Sequence, residues 1–165
     1  MEVFRMLPEG TLAEVIENAL QISPAPTPRH QKISITLSSA IFNFIGQNNI
    51  GEVYYAPIDV FLDETSNAVQ PDIVFFFKKS AIRVDNVGLH GTPDLIIEIQ
   101  SPGNAKHDLV TKKNLYEKFG VQEYWVINPE SETAQGFSFQ GGTFVSLGEL
   151  EKEVRSPLLG QSFLF

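Results

Sequence analysis

The chain has 165 residues, 42% of them hydrophobic and 19% charged. That composition predicts one globular domain, residues 1–165, with a core that needs neither disulfides nor a structural metal. There is no cysteine, which excludes thiolate zinc sites, cysteine nucleophiles and thiol redox chemistry, and suits a reducing compartment. Twelve basic against twenty acidic side chains leave a net charge of −8. Tight, sequence-independent binding to duplex nucleic acid therefore has no support from the overall charge, and phosphate chemistry would call for a bound divalent cation.

The first twenty residues carry acids throughout and lack an uninterrupted apolar run, which predicts neither signal peptide nor membrane anchor and points to a cytoplasmic protein with no membrane partner. Residues 23–30, SPAPTPRH, punctuate the chain. Thr27 followed by Pro28 is an N-cap and first-turn pair, so a helix begins there. Ile33, Leu37, Ile41, Phe44 and Ile45 recur at helical spacing up to Gly46, which predicts one buried stripe and then a stop.

Three consecutive strands follow: EVYYAPIDVFLD (52–63), DIVFFF (72–77) and DLIIEIQ (94–100), separated by turn-rich segments. The second and third are nearly continuous apolar runs, as in strands covered on both faces. A second helix is expected from about Ala105 to Phe119, stopped by Gly120 with Lys118 in its last turn. EYWVIN (123–128) reads as a further strand, and the alternation around Gly141-Gly142 predicts a terminal hairpin laid over the rest as a cover. This order gives an α/β domain with a mixed central sheet flanked by helices.

Alternation on the DLIIEIQ strand places Asp94, Ile96, Glu98 and Gln100 on one face. A carboxylate in the middle of a buried strand is costly unless paired, protonated or bound to a metal, so Glu98 requires a partner. Asp72 opens the neighbouring strand, and adjacent strands lie roughly 4.8 Å apart, so the two carboxylates can share one ion. Asp94 is four residues from Glu98, roughly 13 Å along the strand, and is expected as a supporting or turn residue. On the second helix Leu109, Leu115, Tyr116 and Phe119 form the apolar face, and Lys112 falls near its centre while Lys113 points aside. An inward lysine either snorkels or offers its ammonium to carboxylates on the facing sheet. Two acids, a lysine and Gln100 would bind a hard cation and polarise a phosphate. His30 and Glu17 are weaker signals, and His90 and His107 are expected to be solvated. No phosphate-loop, dinucleotide-binding, HExxH or GxSxG motif is present.

The succession SPAPTPRHQ, QPDIVF, GTPDLIIEIQSP and DLVTKKNLYEKFGVQEYWVINP resembles the bacterial Uma-two family, a restriction-endonuclease-like group of the PD-(D/E)XK nuclease superfamily. The resemblance implies a restriction-endonuclease-like core and a divalent metal, Mg²⁺ or Mn²⁺, held by the motif acids. By that resemblance Asp72 and Glu98 are the metal-binding acids, Gln100 replaces the third-position lysine, and Lys112 supplies the lysine from the next helix. Glu17 would match an upstream acid near the metal, although Asn18-Ala19 stand where the family usually has a glycine. His30 falls where the family commonly has a histidine. The resulting expectation is a metal-dependent endonuclease with catalytic Asp72, Glu98, Lys112 and Glu17, supported by Gln100, Asp94 and His30, that cleaves DNA; cleaving both strands of a duplex would be simplest for a homodimer, though no segment of the sequence marks an interface. The rival is a catalytically inactive nucleic-acid- or protein-binding module on the same fold.

Overall fold

A computed structural model describes residues 1–8, 10–102 and 107–165. The chain opens with a short helix α1 (Glu2–Arg5) and a hairpin of β1 (Ala13–Ile16) and β2 (Ala19–Ile22), whose turn puts Glu17 and Asn18 at positive φ. Helix α2 (Pro28–Asn48) follows. The Thr27 side chain accepts a hydrogen bond from His30 N at 3.3 Å, satisfying one of the donors a helix start leaves open. Ile33, Leu37, Ile41 and Ile45 face inward as their spacing requires. The stop is not Gly46. The helix runs two residues further and ends where Asn49 turns left-handed, at φ 52°.

Seven strands come next: β3 (Gly51–Tyr55), β4 (Val60–Phe61), β5 (Ala68–Val69), β6 (Ile73–Phe77), β7 (Arg83–Val84), β8 (Leu89–His90) and β9 (Leu95–Ile99). A π-helical turn, His107–Lys112, leads into α3 (Lys113–Phe119), closed by Gly120 at φ 76°. The expected start of this helix, Ala105, lies outside the described residues. Five strands complete the chain: β10 (Glu123–Asn128), β11 (Thr133–Gln140), β12 (Thr143–Glu151), β13 (Glu153–Ser156) and β14 (Gln161–Leu164).

The central sheet has the order β12-β11-β10-β9-β6-β3, and a second six-stranded sheet has the order β2-β1-β5-β4-β8-β7. Strands β9 and β10 are parallel and their other neighbours antiparallel, so the central sheet is mixed, as expected. Two expectations need correction. EVYYAPIDVFLD is two strands in different sheets, because Pro57 has no N–H for a ladder and the chain leaves the central sheet there. The hairpin β11–β12 is no separate cover: β11 pairs along β10 and extends the central sheet. The N-terminal hairpin, the short strands β5, β7 and β8 and the β13–β14 ribbon carry too little periodicity to be read in advance.

One face of the central sheet (Ile73, Phe75, Leu95, Ile97, Ile99, Trp125, Ile127) packs on α2 and the β13–β14 ribbon. The other face (Val74, Phe76, Ile96, Tyr124, Val126) packs under α3 and against the second sheet. Glu98 belongs to this second face by alternation, so it looks into the space between sheet and helix. No helix among the described residues is long and apolar enough to cross a membrane.

Candidate active site

The pairing of β6 with β9 matches Ile73 with Ile97. Carried one residue further, this antiparallel register sets Asp72 directly across from Glu98. Asp72 is held on three sides. Its Oδ2 accepts a hydrogen bond from Ile99 N at 2.7 Å, its Oδ1 lies 3.1 Å from His30 Nε2, and its carbonyl accepts from Ala56 N at 2.9 Å. The Thr27 cap, three residues before His30, fixes the helix end that delivers the imidazole.

Glu98 is buried, and its Oε1 accepts hydrogen bonds from Lys112 Nζ at 3.0 Å and Tyr116 OH at 2.6 Å. Lys112 and Tyr116 are four residues apart at the junction of the π-helical turn and α3 and reach the same oxygen. The Lys112 ammonium also lies 2.9 Å from Glu14 Oε1. Glu14, on β1, comes from the second sheet. Its Oε1 accepts from Gln70 N at 2.8 Å, and its Oε2 lies 3.8 Å from His107 Nε2. Glu14, His30, Asp72, Glu98 and Lys112 all line one cavity of about 170 Å³.

Burial alone would raise the Glu14 pKa, but the Lys112 charge, the nearby His107 imidazole and the hydrogen bonds from Gln70 N and Lys112 outweigh it and lower it to about 2. Tyr116 moves the other way. Full burial, then the nearby charges of Glu98 and Glu14, push its phenol well above the usual range, so it stays a proton donor to Glu98. In formal charges the cavity sets three carboxylates against one ammonium.

The structure thus gathers Asp72, Glu98, Lys112 and His30, but not Glu17. Glu17 sits exposed in the β1–β2 turn, 3.6 Å from exposed Lys118. The acid that reaches the cluster from this segment is Glu14. Its sequence signal is that Ala13-Glu14-Val15-Ile16 shows the same signature as the Glu98 strand, an acid inside an apolar run, and all four residues are buried. Tyr116, expected on the apolar face of the helix, also donates its hydroxyl to Glu98, and its position one turn after Lys112 is the sequence signal for that role. Asp94 lies at the far end of β9, where its Oδ2 accepts from Phe77 N at 2.8 Å and from the Ser80 hydroxyl; it ties the sheet together. Gln100 is buried past the end of β9, with its N–H donated to Ile127 O at 2.8 Å. Two histidines are less solvated than expected. His107 approaches Glu14, and His90 stacks on Phe61 at 4.8 Å between Glu64 and Asp85.

Among the described residues no three His, Cys, Asp or Glu side chains stand ready around a common point for a metal. The physical reason is visible: the Lys112 ammonium occupies the space between Glu14 and Glu98. The donors themselves, the carboxylates of Asp72 just before β6 and of Glu98 on the neighbouring β9, are of the hard oxygen type that Mg²⁺ and Mn²⁺ prefer.

This mixed α/β arrangement has a solved counterpart. It is similar to the crystal structure of "a putative nuclease belonging to DUF820" from Anabaena variabilis ATCC 29413, with a TM-score of 0.76 and 23% identity over 96% of this chain and 89% of that one. No curated protein matches the chain. The family model of Uma2, described as "Putative restriction endonuclease", matches residues 1–162, and the chain belongs to this family.

Proposed function

We propose that this protein is a divalent-metal-dependent endonuclease that hydrolyses phosphodiester bonds in DNA. The observation that carries the reading is the convergence of Asp72, Glu98 and the Lys112 ammonium on one cavity, with more formal negative charge than the lysine neutralises. Asp72 and Glu98 would hold the cation, Mg²⁺ or Mn²⁺, which when bound supplies charge neutralisation at the phosphate and acidifies a water. The chain's own residues do the rest. His30 and Ile99 N fix the rotamer of Asp72, and Tyr116 and Lys112 fix that of Glu98. Lys112 places a positive charge where negative charge develops on the phosphate, and Glu14 aims that ammonium from the opposite sheet. The lack of cysteine accords with action in the cytoplasm.

A second reading, a non-catalytic module, is favoured by one observation: Lys112 is already engaged by two carboxylates, as in a purely structural ion-pair network. Incubation with supercoiled plasmid separates the two. The nuclease reading predicts nicking that needs Mg²⁺ or Mn²⁺, stops with EDTA, and falls about 100-fold or more in Asp72→Asn and Glu98→Gln, with both variants folded by circular dichroism. A folded wild-type protein inert with every divalent cation, or activity that survives in both variants, overturns it.

A further inference from the structure

Strand β3 forms one margin of the central sheet, and among the described residues its only partner there is β6. The bonds Lys78 N to Ile50 O and Ala56 N to Asp72 O flank the ladder and fix its phase. Residues 50, 52, 54 and 56 turn their backbone groups toward β6, so Gly51, Val53 and Tyr55 turn theirs outward. Natural edges are blunted by prolines, bulges or charges. The opposite margin, β12, shows this, with a bulge against β11 and with Glu149 and Glu151. Within its span β3 has no proline or lysine, and its single acid, Glu52, is engaged by Tyr54 OH at 2.6 Å.

Beside this open margin lies a groove of about 460 Å³ between α2 and β3, whose lining includes Ile35, Phe42 and Tyr55. Those three side chains are 59%, 65% and 63% exposed. Large side chains of this kind each bring roughly 150–250 Å², so they alone leave on the order of 400 Å² of apolar surface in water. That matches the largest patch of a typical monomer, which is often functional, and is about half of the ~800 Å² per partner in a stable interface.

We infer that β3 and the adjoining face of α2 form a two-fold interface with a second copy of this chain, β3 pairing antiparallel with β3 of that copy about Val53. A dyad through Val53 sets Gly51 opposite Tyr55 and Val53 opposite itself, so every outward N–H and C=O of the three residues gains a partner. The same register sets Glu52 opposite Tyr54, which avoids carboxylate facing carboxylate. Each groove receives Ile35, Phe42 and Tyr55 of the other copy, as an isologous contact demands. A strand from an unrelated protein would satisfy the backbone without filling both grooves.

The test is sedimentation equilibrium of the full chain, with two variants that leave the fold intact. Val53→Pro removes an N–H that points away from β6, at a type of position where sheets accept proline. Phe42→Glu charges an exposed helix position. The wild type is expected at twice 18.4 kDa, and each variant weakens self-association about 30-fold or more, the effect of losing a hot spot, with unchanged circular dichroism. A wild type that stays monomeric at about 100 μM, far above a typical stable interface's dissociation constant, overturns the proposal, as does a dimer unaffected by both substitutions.

Discussion

Replacing Lys112 with methionine keeps the unbranched apolar stem and removes the ammonium and its charge. Glu14 and Glu98, both nearly inaccessible to water, would then face each other without their shared cation. Removing one partner of a buried ion pair costs about 3–5 kcal/mol, chiefly through the uncompensated charge left behind. For a chain of this size that corresponds to a melting temperature lower by roughly 6–20 °C. The sign with pH is specific. In the wild type Glu14 is lowered to about 2, so its ionised form favours the folded state above the unfolded pKa. Without Lys112, burial dominates at Glu14 and raises its folded pKa, so its ionisation now favours unfolding. The stability gap between wild type and Lys112→Met should therefore widen as pH rises from about 4 to 7 and shrink on acidification. Urea titrations at several pH values, followed by the fluorescence of the single, fully buried Trp125, measure it. A gap below about 1 kcal/mol at pH 7, the range of an exposed pair, or one independent of pH, would refute the reasoning.

Glu14 makes a related prediction in the wild type. Stability should fall as pH drops from about 4.5 toward 2, losing about 3 kcal/mol from this group, and Glu14→Gln should flatten that part of the profile. Gly136→Ala would place a Cβ 2.5–2.7 Å from ring atoms of Trp125, and the overpacked core should lose about 1–3 kcal/mol in urea. Thr27→Ala removes the cap on the helix that delivers His30 and should cost about 1 kcal/mol.

The sequence made legible what depends on strong periodicity or on an obvious contradiction of it. Helix α2 combined a cap, a proline and a long apolar stripe, and β6, β9 and β10 were apolar runs bounded by turns. Glu98 stood out because it violated such a run, and Lys112 because it violated the face of its helix. Glu14 carried the same violation within a four-residue strand, too short for its neighbours to establish a pattern. Glu17, three residues later, matched a family expectation but falls in a tight turn where the chain reverses, which turns it to solvent. Pro57 was passed over inside a run that otherwise alternated well. Which strand joins which sheet depends on contacts distant in sequence, and no local pattern encodes that.

Calorimetric titration of Mn²⁺ into the folded protein at neutral pH tests the central claim most directly, since it reads the cluster without any assumed substrate. The account predicts a saturable site that Mg²⁺ competes for and that Asp72→Asn and Glu98→Gln each abolish, while Glu17→Ala leaves it unchanged. Absence of binding in the wild type, or binding that persists in Asp72→Asn and Glu98→Gln, would contradict it.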